Sequence, residues 1–157
     1  MLALFKSKPL LEQAEQQWLI DTFIWAVEHF DAAFFTKHTQ IILPTVAHFP
    51  DSVSSIEEMA TKVFVRVRDY AGMSAWPIQL VAPQQLQPQV FPHFEFAEHL
   101  RGEQSQLIVP PSHTINISFN PNQINQPQDL VASFAGTLAT VLIHHVGVLP
   151  PGGKDYL

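Results

Sequence analysis

Apolar residues recur every three or four positions in three parts of the chain, a spacing that predicts helices. The predicted helices span residues 9–31, 55–72 and 127–146. Leu11, Trp18 and Phe30 belong to the apolar positions of the first helix, which is predicted to face the core. Ser55 and Glu58 form a capping-box pattern at the start of the second helix.

Shorter runs of β-branched, aromatic or alternating residues predict strands between and after the first two helices. These runs are residues 39–43, 78–82, 90–97, 107–109 and 113–119. A stretch rich in Pro and Gln, residues 83–89, predicts a loop inside one domain, because neither side is large enough to fold alone. The order of elements therefore predicts a single α/β (α+β) domain covering residues 1–157.

The last predicted helix is apolar over most of its surface and carries a polar stripe of small residues. The stripe comprises Ser133, Gly136, Thr137, Thr140 and His144. One interpretation is that small residues let another backbone approach closely, in which case Gly136→Leu should disrupt folding or association. The other is that the stripe lines a cleft, with Ser133 and His144 in its wall. The pattern leaves both open.

Composition and charge exclude several classes of function. The chain has 157 residues, 46% of them hydrophobic, which is enough for a substantial core. A net charge of -6 with eight Lys and Arg argues against nucleic-acid binding. The absence of cysteine excludes disulfides and thiolate chemistry. Histidines interrupt the apolar run 130–149 and the start of the chain lacks a signal-peptide pattern, so we expect a cytoplasmic protein without a membrane span.

Histidine is frequent, with eight residues, so metal binding is one hypothesis. The candidate ligands are His93, Glu95, His99 and His113. On an extended strand, His93 and Glu95 would share one face and could bind zinc, or that face could simply contact water. His144 and His145 are adjacent on a helix and point about 100° apart, so they cannot chelate one ion together.

Residues 130–142 read Leu-Val-Ala-Ser-Phe-Ala-Gly-Thr-Leu-Ala-Thr-Val-Leu. This run resembles the active-site helix of a bacterial zincin-like metallopeptidase family, which carries a His-Glu-x-x-His motif. The flanking segments also resemble that family: the preceding strand 113–119, the helix entry at Pro127, and residues 43–45, 49–50 and 70–73. The resemblance implies a zincin-like mixed sheet packed against three main helices.

The motif positions of that family hold Gly136, Thr137 and Thr140 in this chain, in place of His, Glu and His. Glycine has no ligand atom, and a threonine hydroxyl is a poor zinc ligand and has no basicity near neutral pH. The family's third ligand is expected near or beyond Asp155, and His144 could supply at most one ligand. The resemblance therefore implies a pseudoenzyme without a cofactor.

The expected role is then structural or a protein interaction, either with an unidentified protein or with another copy of the chain. Because residues 150–153 break the last helix just before the sequence stops, we expect the chain to be the N-terminal part of a longer protein. The alternative hypothesis is a metal-dependent hydrolase whose zinc ligands have relocated to His93, Glu95, His99, His113 and His144. It predicts stoichiometric zinc that is lost in His113→Ala.

Overall fold

The structure is a computed structural model that describes residues 10–30, 32–37, 39–108 and 113–153. Pro9, Asp31, Val109 and Asp155, which entered the sequence-based predictions, lie outside these residues. The described helices are α1 (Gln13–His29), α2 (Ala32–Lys37), α3 (Ile56–Tyr70) and α4 (Pro127–Val146). The strands are β1 (Ile78–Leu80) and β2 (Ile115–Ile117), and 3-10 turns occupy Pro83–Gln85 and Pro121–Gln123. The α+β class is therefore confirmed.

Local sequence signals set both ends of α3, as predicted. The hydroxyl of Ser55 accepts a hydrogen bond from the Glu58 N–H at 3.1 Å, and the Glu58 carboxylate accepts from the Ser54 N–H at 2.9 Å. In a standard capping box the Glu carboxylate accepts from the N–H of the cap residue, whereas here it accepts from the residue before the cap, Ser54. At the other end, Gly72 has a φ of +70° and donates to the Asp69 carbonyl, which stops the helix.

The core lies between the α3–α4 pair and the sheet. Its fully buried members include Phe134 and Leu130, both 0% exposed. The Phe134 ring meets Phe64 of α3 edge-on at 5.6 Å between centroids, and Phe119, just after β2, at 6.4 Å. The α4 helix thus joins α3 to the sheet.

The two strands are parallel, with Ile78 opposite Ile115 and Leu80 opposite Ile117. A parallel pair requires a long crossover connection, which here is the chain between the two strands. That connection brings the aromatic segment 91–96 against the C-terminal end of α4. The pairing therefore places this segment beside the histidines of α4.

Several strand predictions were wrong or too long. Residues 39–43 form no strand, and residues 90–97 together with residues 107 and 108, the described part of the last short run, contribute only an isolated bridge between Phe96 and Leu107. The segments 78–82 and 113–119 each shorten to three paired residues. Pro92 removes a backbone donor in the middle of one predicted strand, which explains part of the difference.

The prediction that α1 faces the core was also wrong for most of its apolar residues. Trp25 is buried on α1, and the Trp18 indole donates to the Pro151 carbonyl at 3.0 Å. The apolar residues on the opposite side of α1 are about half exposed. These are Leu19, Ile20, Phe23 and Ile24. Apolar periodicity identifies a face of a helix, but contacts from distant residues decide whether it is buried.

The α4 helix is long and apolar enough to cross a membrane by length and composition alone. Among the described residues it is the only helix of this kind, and 28% of its most apolar window is buried in the protein. The buried share belongs mainly to the side that contacts α3 and the sheet. The part of α4 that is not buried includes the small residues of the polar stripe.

Candidate functional site

The two threonines at the motif positions of α4 are bonded to their own helix. Thr137 Oγ1 donates to the Ser133 carbonyl and Thr140 Oγ1 donates to the Gly136 carbonyl, each at 2.9 Å. Such bonds to the carbonyl four residues earlier hold a hydroxyl against the helix backbone. The groups that stand where Glu and His occur in the motif are therefore directed along α4.

The third motif position, Gly136, faces open space among the described residues. A Cβ added there would meet no atom within 4 Å. Close packing of another described element against Gly136 is therefore not found, so the steric overlap expected within the fold for Gly136→Leu is absent, while its effect on association stays a prediction. These three residues also cannot bind zinc, since they offer no imidazole and no carboxylate as ligands.

The stripe does not line one cleft. Ser133 is exposed, and its carbonyl accepts the Thr137 bond. His144 lies at the opposite end of the stripe, where its ring stacks on Phe91 at 4.8 Å between centroids. A cavity of about 70 Å³ adjoins His144 there, with His93 and Ile115 also in its wall. Of the two residues expected to line a cleft, the structure places only His144 in a cavity wall.

The candidate zinc ligands are not brought together. His93 stacks on His145 with centroids 4.7 Å apart and ring planes within 10° of parallel. Imidazole lone pairs lie in the ring plane, so two parallel stacked rings cannot direct them at one ion. Glu95 is exposed, His99 forms a backbone bridge with Ser105, and His113 precedes β2.

Within the described ranges, no three His, Asp or Glu side chains are grouped closely enough to hold a metal ion. The relocated-ligand hypothesis therefore gains no support from the arrangement of these side chains. What the histidines form instead is an aromatic cluster at the end of α4. His145 packs edge-on against Trp76 and Phe96, with centroids 5.0 and 5.9 Å away.

The environment of His145 predicts a specific pH dependence of stability. Burial and, to a lesser extent, the nearby His93 lower the pKa of His145 from its ordinary 6.5. Below about pH 6.5 the unfolded chain then binds more protons than the folded protein, so stability falls as the pH drops towards the folded pKa. We expect His145→Phe to reduce the loss of unfolding free energy between about pH 7.5 and pH 5.5.

Urea unfolding at the two pH values, compared with His144→Phe at the neighbouring exposed position, measures this effect. The Glu58 carboxylate acts in a separate, more acidic range, since hydrogen bonds from Lys62 and Ser54 lower its pKa to about 2. An unchanged pH dependence in His145→Phe would contradict the assignment to His145.

An apolar groove, which sequence reasoning missed, runs along the side of α4. This α4 groove is a cavity of about 350 Å³. Ala135 and Ala139 of α4, Phe30 after α1 and Phe35 of α2 are among its lining residues. The volume is in the range of pockets that hold small ligands or anchoring side chains. The sequence signal that could have revealed it is the spacing of Ala135 and Ala139, one helical turn apart beside the polar stripe.

Arg101 is a second feature that the sequence did not reveal. Its side chain lines the α4 groove, and the residue is 9% exposed. The guanidinium carbon lies 4.4 Å from the ring centroid of Phe34 and 4.9 Å from that of Phe35. These cation–π contacts place a positive charge among phenyl rings at one side of the groove.

A larger cavity of about 630 Å³ lies beside Gly72 and Gly102. Two polar groups of its lining are bonded within the protein. Ser74 Oγ donates to the Asp69 carboxylate at 2.7 Å, and the Tyr70 hydroxyl donates to the His48 carbonyl at 2.9 Å. The α4 groove is therefore the more distinctive candidate site.

Comparisons with known proteins do not identify this chain: no family model, no curated protein and no solved structure matches it.

Proposed function

We propose that this chain is a zincin-like domain without peptidase activity and that it acts as a protein-interaction domain. The observation that carries the first part is the state of the α4 motif positions. Gly136 has no side chain, and the hydroxyls of Thr137 and Thr140 donate to carbonyls of α4 itself. Peptide hydrolysis of the zincin type needs two imidazoles and a carboxylate at these positions.

The second part is supported by an apolar surface on another side of α4. The α4 groove combines exposed alanines with phenyl rings, and Val67 and Tyr70 of α3 also line it. Concave apolar surfaces of this kind are typical sites for a ligand or for an anchoring side chain of a partner. A binding role uses this surface without requiring a reaction at α4.

Elemental analysis of the purified protein, combined with a fluorescent casein hydrolysis assay, tests the proposal. We expect less than about a tenth of a zinc ion per chain after growth in zinc-supplemented medium, and no hydrolysis above buffer. Stoichiometric zinc that disappears in His113→Ala, or hydrolysis that a zinc chelator abolishes, would overturn it in favour of relocated ligands.

A gain-of-binding variant makes the zinc measurement informative. G136H/T137E/T140H places two imidazoles one helical turn apart, and the open space at Gly136 accommodates the first of them. We expect this variant to take up zinc at micromolar concentrations, whereas the single variant T137E should not. If the triple variant folds and binds no more zinc than T137E, the α4 face differs from a zincin helix and the proposed relationship fails.

A further inference from the structure

We propose that α1 docks an amphipathic helix of a partner protein, one whose apolar face is bordered by Lys and Arg side chains. The docking surface is the α1 stripe, made of Leu19, Ile20, Phe23 and Ile24. This inference rests on the proposed function in that the chain is taken to be an interaction domain. It does not depend on how the α4 motif positions behave.

The α1 stripe is an apolar face turned towards solvent. Its four side chains are between 46% and 56% exposed. Positions i, i+1, i+4 and i+5 share one side of a helix, so the four residues form a band about one and a half turns long. The tryptophans Trp18 and Trp25 hold the opposite side of α1 against the rest of the protein.

The α1 stripe continues into the α4 groove. The Phe23 ring meets the Phe35 ring edge-on, with centroids 5.7 Å apart, and Phe35 is also a lining residue of the groove. Contiguous apolar surfaces that are larger than isolated exposed residues mark interaction sites. A helix lying on the stripe can therefore place an apolar anchor side chain towards the groove, as in helix-in-groove recognition.

Negative charge borders the stripe on both sides. Asp21 and Glu28 project about 80–100° from Ile20 on one side, while Glu15 projects about 40° from Leu19 on the other side near the start of α1. Residues 13–29 contain no Lys or Arg, and the whole chain has a net charge of -6. The charged residues of α1 itself are therefore all acidic apart from one histidine, His29.

The negative charge beside the α1 stripe favours one kind of binding partner over the others that an apolar surface could bind. A second copy would bring the same carboxylates against each other, and an anionic membrane would be repelled by them. A helix with basic borders would place its cations opposite Asp21 and Glu28 while its apolar face covers the stripe. Charge complementarity of this kind adds association rate and specificity to an apolar contact.

Two synthetic helical peptides, each about five turns long, serve as probes. They share one leucine face and differ only in its borders, which are all Lys in one and all Glu in the other. Fluorescence anisotropy should show the Lys peptide binding at least about tenfold more tightly to the native protein. Ile20→Glu should weaken that binding at least about tenfold, and Ile24→Glu provides a second variant of the stripe.

The matched control is Leu86→Glu, at an apolar residue that is 46% exposed, close to the 54% of Ile20, but lies at the end of a 3-10 turn. It should leave the affinity for the Lys peptide within about twofold of the native value. If Ile20→Glu binds as tightly as the native protein, the α1 stripe is not the docking surface. A dimer that dissociates in Ile20→Glu would mean that a second copy occupies the stripe.

Charge reversal separates local recognition from the overall acidity of the chain. D21K/E28K should shift the preference towards the Glu peptide, whereas E95K/E98K makes the same change in net charge at two other exposed carboxylates. A preference that shifts equally in both double variants, or equal binding of both peptides to the native protein, overturns the proposal. Failure here leaves the zinc and hydrolysis results standing, so the two proposals can fail separately.

Discussion

Phe134→Ala is expected to lower the free energy of unfolding by about 3–5 kcal/mol. Phe134 is 0% exposed and lies at the contact between α3, α4 and the sheet. Its ring meets Phe64 at 5.6 Å and Phe119 at 6.4 Å, both edge-on. Removing the ring takes away buried apolar surface and leaves a cavity that two helices and a strand would have to collapse to fill.

Urea unfolding followed by far-UV circular dichroism measures this loss, with Phe23→Ala as the matched control. Phe23 is 56% exposed, so its truncation should cost less than about 1 kcal/mol. Because a loss of 3–5 kcal/mol approaches the total stability of many domains, Phe134→Leu provides a milder variant with an expected loss of about 1 kcal/mol. Equal losses in Phe134→Ala and Phe23→Ala would contradict the position assigned to the core.

The α3 and α4 helices were predictable because their signals are local, whereas the short α2 helix was not predicted. The Ser55 cap, the Gly72 stop and Pro127 at the first turn of α4 act within a few residues of the positions they mark. The bounds of α3 and α4 could therefore be read from short stretches of sequence.

The strands and the exposed face of α1 were not predictable in the same way. A strand needs a partner from elsewhere in the chain, and residues 39–43 have the composition of a strand without forming one. Likewise, α1 has apolar residues around much of its circumference, and the tryptophans, rather than Phe23 and Ile24, provide its contact with the rest of the protein. Long-range packing decided both cases.

The candidate site likewise has a part that local sequence patterns predicted and a part that depends on long-range packing. The residues of the polar stripe on α4 were identified from sequence, since their spacing alone places them on one face. The stacking of His93 on His145 and the phenyl rings around Arg101 depend on the crossover between β1 and β2, which carries both residues to distant elements. No local pattern contains that information.

Gly72→Ala is expected to destabilise the protein by about 2–4 kcal/mol. The φ of Gly72 is +70°, a conformation that alanine adopts only with strain. A Cβ at this position would also lie 2.5 Å from Phe34 Cε2 and 2.8 Å from the Gly102 nitrogen. Because that nitrogen donates to the Gly72 carbonyl at 2.8 Å, relief of the overlap would disturb the contact between the two loops.

Gly136→Ala is the matched substitution, and we expect it to change the free energy of unfolding in the opposite direction. Gly136 lies inside α4, and an added methyl group would meet no described atom within 4 Å. Replacing a helical glycine with alanine in open space should therefore stabilise the protein by about 0.5–1 kcal/mol. Urea unfolding of both variants under the same conditions gives the comparison. If Gly136→Ala destabilises the protein by as much as Gly72→Ala, the stripe of α4 is packed against another element and the open face described for it is wrong.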